Sequence, residues 1–291
     1  MYKRILVVTG DQVCDAPVEY AIALAADTGA ELSILTVLGL PLIAGMPDGT
    51  ACMLAMESVV AQSQDIRAAA AAAAEQAGVS YTTWARWGNT ADMILRTAEE
   101  DDCDLIIIGS HACTWRSRQV LRHVIKKLTT SARQPFLVIT EPPEETYRGT
   151  YWTRLLVVHD GSPEGEAAVH YALALAQEAA LDIYLVHVYA LRQHYGTDLL
   201  GGTPSMPDML EFTATRTAIA EVSYDVVPAL GNSVTAITET AADRACDVII
   251  LGAELHRGWK RLVYEPTAEA VLANTTLPIL LVNRLATYCD S

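Results

Sequence analysis

The sequence predicts an α/β fold: two similar domains in tandem, each a parallel, doubly wound sheet of five strands. Three observations predict it. Residues 88–139 and 231–282 align without a gap, short wholly apolar runs alternate with helical patterns along both halves, and one acidic, proline-bearing stretch divides the 291 residues. A repeat this long is a duplicated domain, because solenoid units run to about 20–50 residues.

Taken in order, Ile5–Val8 is too uniformly apolar for a half-exposed strand and is expected to be buried on both faces. Residues 18–26 read as a helix and 32–38 as a second strand. A third strand, 80–87, runs into a turn at Gly88. After it, Ala91, Ile94, Leu95 and Ala98 recur at i, i+3, i+4 and i+7, one face of a helix. Leu105–Ile108 and Phe136–Ile139 complete the five strands. In the second half the strands are expected at 155–158, 183–188, 223–228, 248–251 and 279–282, and Val234, Ile237 and Ala241 repeat the helical face. Strands alternating with helices imply parallel βαβ units with helices on both faces. The seven alanines 68–74 fit a helix packed closely on a sheet, since alanine is the best helix former.

Glu141-Pro142-Pro143-Glu144-Glu145 is the expected linker. Its prolines exclude helix and its acids keep it solvated. The domains are accordingly expected at 1–143 and 150–291.

Lys and Arg number 20 against 35 Asp and Glu, a net charge of −15, which disfavours nucleic acid and anionic membrane surfaces as partners. The apolar runs fall far short of the roughly 20 residues of a membrane helix. The N-terminal residues enter a strand with no cleavage-site pattern, so a cytoplasmic location is expected. The six cysteines form no CxxC pair, and Cys103 and Cys246 share one repeat position just before a strand. Both are expected as reduced, core-facing thiols.

The pieces, in this order and seen twice, carry a resemblance. They are Ala30-Glu31-Leu32-Ser33-Ile34-Leu35, Gly88-Asn89-Thr90-Ala91, Asp104 to His111 and Pro135 to Ile139, then Val157 to Ser162, Leu185-Val186-His187-Val188 and Cys246 to Gly252. Over nearly its whole length the chain resembles the universal stress protein family in its tandem form. That resemblance implies Rossmann-like domains, similar to adenine nucleotide alpha hydrolases, whose final strands 136–139 and 279–282 pair the two domains into a dimer-like unit.

Members of that family that bind ATP carry an Asp at the end of strand one, G-x-x-G after strand four, and G-[ST] nine residues on. Glycine lets backbone N–H groups approach phosphate beside a helix N-terminus that favours anions. The first half keeps Gly109 and Ser110, but has Ala112 for the second glycine, Arg122-His123 for G-[ST], and Gly10 where the Asp should stand. The second half keeps Asp160-Gly161-Ser162, but its loop reads Gly252-Ala253-Glu254-Leu255 and its G-[ST] is Glu265-Pro266. Leu255 adds bulk and Pro266 removes a donor. Like charges about 4 Å apart repel by about 4 kcal/mol at an effective dielectric of 20, against about 8 kcal/mol for micromolar binding. Glu254 and Glu265 therefore argue against triphosphate in the second half.

Six of the chain's basic residues (Arg116, Arg118, Arg122, Lys126, Lys127, Arg133) crowd a stretch from 105 to 140 that holds no acid. It begins after strand four, where doubly wound sheets bind ligands. This suggests an anion or nucleotide site built on Gly109, Ser110, His111, Arg116 and Arg122, with Asp160 and Val188 as the cofactor contacts the resemblance implies in the second half. The plainer use of such a run is a solvated helix face.

His159 and His187 fall at strand ends near Asp160, but histidine spacing alone is poor support for a metal, and none is expected. Ser162 lacks a G-x-S-x-G elbow, so a hydrolase triad is rejected. Trp84 and Trp87, with Trp115, are expected in core or interface packing. The function expected is a non-enzymatic stress-response module with degenerate ATP motifs and no resident cofactor. The alternatives are ATP or AMP sensing by the first domain with slow hydrolysis, or a protein partner such as a transporter docking on 39–55 or 196–207. A homodimer is a further expectation.

Overall fold

The computed structural model describes residues 2–9, 16–38, 49–109, 115–140, 152–159, 162–189, 224–230, 233–253 and 267–284. The side chains of 49–52, 55, 115–119, 188–189, 224–230, 233 and 267–269 fall outside that description. Two compact units divide the chain between Tyr151 and Trp152.

In the first unit the strands are β1 (Arg4–Val8), β2 (Glu31–Leu38), β3 (Tyr81–Trp87), β4 (Leu105–Gly109) and β5 (Phe136–Ile139), in the spatial order β3-β2-β1-β4-β5. All pairs are parallel, with Val7 opposite both Ile34 and Ile107. The helices are α1 (Ala16–Thr28), α2 (Gly49–Gln76), α3 (Thr90–Glu100) and α4 (Trp115–Ser131). Crossovers are right-handed, so the two leftward moves from β1 put α1 and α2 on one face. The return from β3 to β4 reverses direction and puts α3 and α4 on the other. Accordingly α1 touches α2 and α3 touches α4.

The second unit repeats the plan with β6 (Arg154–His159), β7 (Asp182–Tyr189), β8 (Tyr224–Leu230), β9 (Val248–Gly252) and β10 (Ile279–Val282), ordered β8-β7-β6-β9-β10 and parallel throughout. Among the described residues its helices are α5 (Pro163–Ala179), α6 (Ser233–Asp243) and α7 (Thr267–Leu272). Each strand anticipated from the sequence lies within its observed span, give or take one residue at the start of β3 and β8.

Full burial explains the unbroken apolar runs. Ile5, Leu6, Val7, Leu105, Ile106, Ile107 and Phe136 are all inaccessible, as are Leu155, Leu156, Val157, Val248, Ile249 and Ile250. The same device ties the lower end of both sheets. Asp104 accepts hydrogen bonds from the backbone N–H of Lys3 (2.6 Å) and Arg4 (3.3 Å). Asp247 accepts from Thr153 N–H (2.6 Å), Thr153 Oγ1 (2.9 Å) and Arg154 N–H (2.8 Å). Of the expected core cysteines, Cys103 and Cys246 are both buried, and burial pushes their thiols up to about 12 and about 11.

On the α3 face, Ser33 Oγ (2.6 Å) and the Trp84 indole N–H (2.7 Å) both donate to Asp101 Oδ2. The Arg86 guanidinium lies 4.7 Å from the Trp84 ring centre and pairs with Glu100. Trp84 is thus half-buried in a polar network, while Trp87 at the strand end is 39% exposed. Within the alanine run, Ala70 and Ala74 are buried against the sheet.

Candidate functional site

In a doubly wound sheet the crevice for a ligand opens where strand order reverses, at the carboxyl ends of the two strands flanking that point. Here these are β1 and β4 in the first domain, β6 and β9 in the second.

At the first switch point Thr9 follows β1. Its N–H donates to Leu35 O (2.9 Å) and its hydroxyl meets that of Thr36 at 2.8 Å, both residues buried. Gly109 ends β4, half-buried, beside this floor. Ser110 and His111 lie outside the described residues, as do Ala112 and Gly10. Arg116 sits in the first turn of α4, its side chain undescribed. Arg122 is exposed, seven residues into α4 and therefore about 10 Å along the helix from its start. Lys126 is exposed on the same helix, and Lys127 Nζ stands 3.6 Å from Asp92 Oδ1 of α3, so part of the basic run is spent on a local acid.

The second switch point is built differently. His159 ends β6 and lies in register with His187 of β7. Their Nδ1 atoms stand 3.2 Å apart, the rings meeting edge-on with centroids 5.1 Å apart and planes at 64°. Both residues are buried. Burial, then the neighbouring His159, lowers the His187 pKa to about 4. At this distance a hydrogen bond needs one Nδ1–H to donate and the other Nδ1 to accept. Thr9 and Thr36 hold the same two places in the first domain, since Val8 and Leu35 pair immediately before them. A hydroxyl pair in one domain is an imidazole pair in the other.

Gly252 ends β9 where α5 begins. Ser162 caps that helix, its Oγ accepting from Gly165 N–H at 3.0 Å, with Pro163 in the first turn. A Cβ built on Gly252 would lie 2.4 Å from the carbonyl carbon of Glu164 and 2.5 Å from its oxygen. The helix start is pressed against the strand, and only glycine fits. Val188 lies in β7 opposite Ala229, its side chain undescribed, and Asp160 is outside the described residues, as are Glu254, Leu255 and Pro266. Among the described residues no three His, Cys, Asp or Glu side chains gather to hold a metal.

The structure therefore brings Gly109 to the first switch point and sets Arg122 well down α4. The sequence sets His159 and His187 at strand ends near Asp160 but not in contact with each other, and it gives no sign of the counterpart pair Thr9–Thr36. Their signal was available only in register, as the residues directly after two neighbouring strand runs.

A model of the Universal stress protein family matches residues 1–140 and 152–283. The chain belongs to the universal stress protein family. Universal stress protein MJ0531 of Methanocaldococcus jannaschii is 28% identical over 146 residues, half of this chain and 86% of that one. Among solved structures, a universal stress protein from Archaeoglobus fulgidus DSM 4304 superposes with a TM-score of 0.73 at 16% identity, covering 97% of this chain and 96% of that chain. A functionally unknown protein from Pseudomonas aeruginosa PAO1 gives 0.56 at 18% identity over 97% and 92%. At such identities these structures speak to the fold alone. The family assigns a stress-response role, and the two matched regions make this a tandem universal stress protein. Among the described residues no helix is long and apolar enough to cross a membrane.

Proposed function

We propose that this universal stress protein is a non-catalytic regulatory module, cytoplasmic, whose second domain does not take ATP in the manner of its ATP-binding relatives. One observation carries the reading. Gly252, the glycine that persists in the altered phosphate loop, is required by the contact with Glu164 and Gly165, so its presence is no sign of a phosphate cradle. The altered loop and the switch-point floor point the same way. Glu254, Leu255 and Pro266 follow in sequence. In the buried His159–His187 pair, burial and the neighbouring His159 hold the His187 pKa down at about 4, so His187 brings no positive charge to the floor. Calorimetric titration of the full chain with ATP, ADP and cyclic dinucleotides tests this. The reading expects no heat assignable to the second domain at millimolar ligand. Binding that Asp160→Ala abolishes would overturn it.

A second reading, an adenine-nucleotide or other anion sensor in the first domain, is favoured by exposed Arg122 and Lys126 on α4 in a chain of net charge −15. It places ATP or AMP beside Gly109, with Ser110, His111 and Arg116 as further contacts, and slow hydrolysis would belong to it. Mass spectrometry of the denatured protein would find co-purified nucleotide, and Arg122→Ala would lose it. A protein partner is favoured by Met53 and Leu54, 64% and 61% exposed at the start of α2. Replacing both by serine should then reduce capture of a transporter or other partner while leaving nucleotide binding alone. Pairing of the two domains through β5 and β10 belongs to the same proposal, and co-purification of separately expressed 1–143 and 150–291 tests it.

A further inference from the structure

We propose that β3 is a homodimerisation edge: a second copy of this chain adds its own β3 antiparallel to the first, extending the sheet of the first domain. Among the described residues β3 pairs only with β2, over its whole length from Leu32↔Tyr81 to Leu38↔Trp87 without a bulge. Leu32 N–H bonds Ser80 O at 2.9 Å and Gly88 N–H bonds Leu38 O at 3.3 Å. A parallel ladder bonds one neighbour through alternate residues, so the even-numbered residues of β3 serve β2. Tyr81, Thr83, Ala85 and Trp87 therefore turn both N–H and C=O to the open side. Unpaired rows of this kind are templates for a further strand unless charge, proline or a bulge blunts them.

The second domain is blunted and the first is not. By register Ala85 lies opposite Thr36, and Pro228 opposite His187, the counterpart of Thr36. Proline, which has no N–H, thus stands in β8 at the outward-facing place that alanine holds in β3. Asp225 likewise replaces Thr82. Tyr81-Thr82-Thr83-Trp84-Ala85-Arg86-Trp87 has no proline, no lysine and no acid, and Thr82, Thr83, Ala85 and Trp87 are exposed.

The strand suits a copy of itself. The register that pairs all seven residues sets Trp84 on a twofold axis, with Thr83 opposite Ala85 and Tyr81 opposite Trp87 of the second copy. Outward-facing residues then meet outward-facing residues, which is the hydrogen-bonded pair of an antiparallel ladder. The two aromatic pairs are of the stabilising cross-strand kind. Arg86 falls opposite Thr82, so no charge faces its like. The layer above also closes. Helix α2 packs on β2 and β3, and strands lie about 4.8 Å apart. Two such helices related across the new ladder would stand about 10 Å apart, within the usual range for packed helices.

Sedimentation velocity on the full chain over a wide concentration range tests the proposal. The unaltered protein should form a concentration-dependent dimer, and Ala85→Ser, which keeps the N–H, should form it too. Ala85→Pro, which copies the second domain, should lose it while retaining its circular dichroism spectrum. A monomer at every concentration, or a folded Ala85→Pro that still dimerises, overturns the proposal. If Ala85→Pro does not fold, hydrogen exchange of the unaltered chain decides. Amides of residues 81, 83, 85 and 87 that slow only at dimer-forming concentrations support the edge, and the same four exchanging at one rate throughout refute it.

Discussion

Gly252 meets the backbone of Glu164 so closely that a single added carbon would sit 2.4 Å from the Glu164 carbonyl carbon. The obstacle is main chain at the start of α5 and cannot turn aside as a side chain would. Gly252→Ala should therefore destabilise the second domain by about 1–3 kcal/mol, as overpacked sites do. Urea denaturation followed by far-ultraviolet circular dichroism checks it. A variant as stable as the parent would mean that the helix start gives way freely.

The imidazole pair makes the second domain acid-sensitive. Burial and His159 lower the His187 pKa to about 4, below the 6.5 of an unfolded histidine. The unfolded chain thus binds the proton first. Stability is fully present above pH 6.5 and is lost as pH falls from there towards 4, by about 3 kcal/mol at the lower limit. His187→Gln should flatten this part of the pH–stability curve. Equal slopes for variant and parent would assign the acid sensitivity to other groups.

Asp101 holds two buried or half-buried donors, Ser33 Oγ and the Trp84 indole. Asp101→Ala strands both and should cost about 1–3 kcal/mol, with a shift in tryptophan fluorescence. At the same turn of the second domain Arg244 stands in its place, 5.2 Å above the Tyr184 ring. That contact is exposed, and Arg244→Ala should cost about 0.5–1 kcal/mol. A reversed order of the two costs would refute the comparison.

Helix starts offer a simpler test. Asn89 Oδ1 accepts from Ala91 N–H (3.0 Å) and Asp92 N–H (3.4 Å), and Ser162 Oγ accepts from Gly165 N–H. Asn89→Ala and Ser162→Ala should each lower stability by about 1 kcal/mol, measured by thermal melts. Asn89→Asp should be close to neutral, because Asp caps equally well.

The sheets were legible in the sequence because parallel strands buried on both faces leave continuous apolar runs. Ile5–Val8 and Leu105–Ile108 have few other uses. The helix after Gly88 was legible from Ala91, Ile94 and Ala98, all of which are inaccessible. Cys103 and Cys246 declared themselves by sharing one repeat position. Pair geometry was not legible. That Thr9 meets Thr36, and His159 meets His187, depends on strand register, which a one-residue slip would reverse. Nor could composition reveal why Gly252 persists, because the obstacle is a helix start some ninety residues earlier. Nor does composition show how far along α4 a basic residue falls: a helix carries a side chain 1.5 Å further along its axis with each residue, which sets Arg122 about 10 Å from the start of α4.

Oxidative chemistry follows a rule set by burial at Cys103 and Cys246. Peroxide and alkylating reagents attack the thiolate, and with thiols held near 12 and 11 neither position offers one at neutral pH. Redox signalling through this protein has to run by another route, and iodoacetamide or maleimide dyes will leave both cysteines unlabelled for as long as the sheets stay folded.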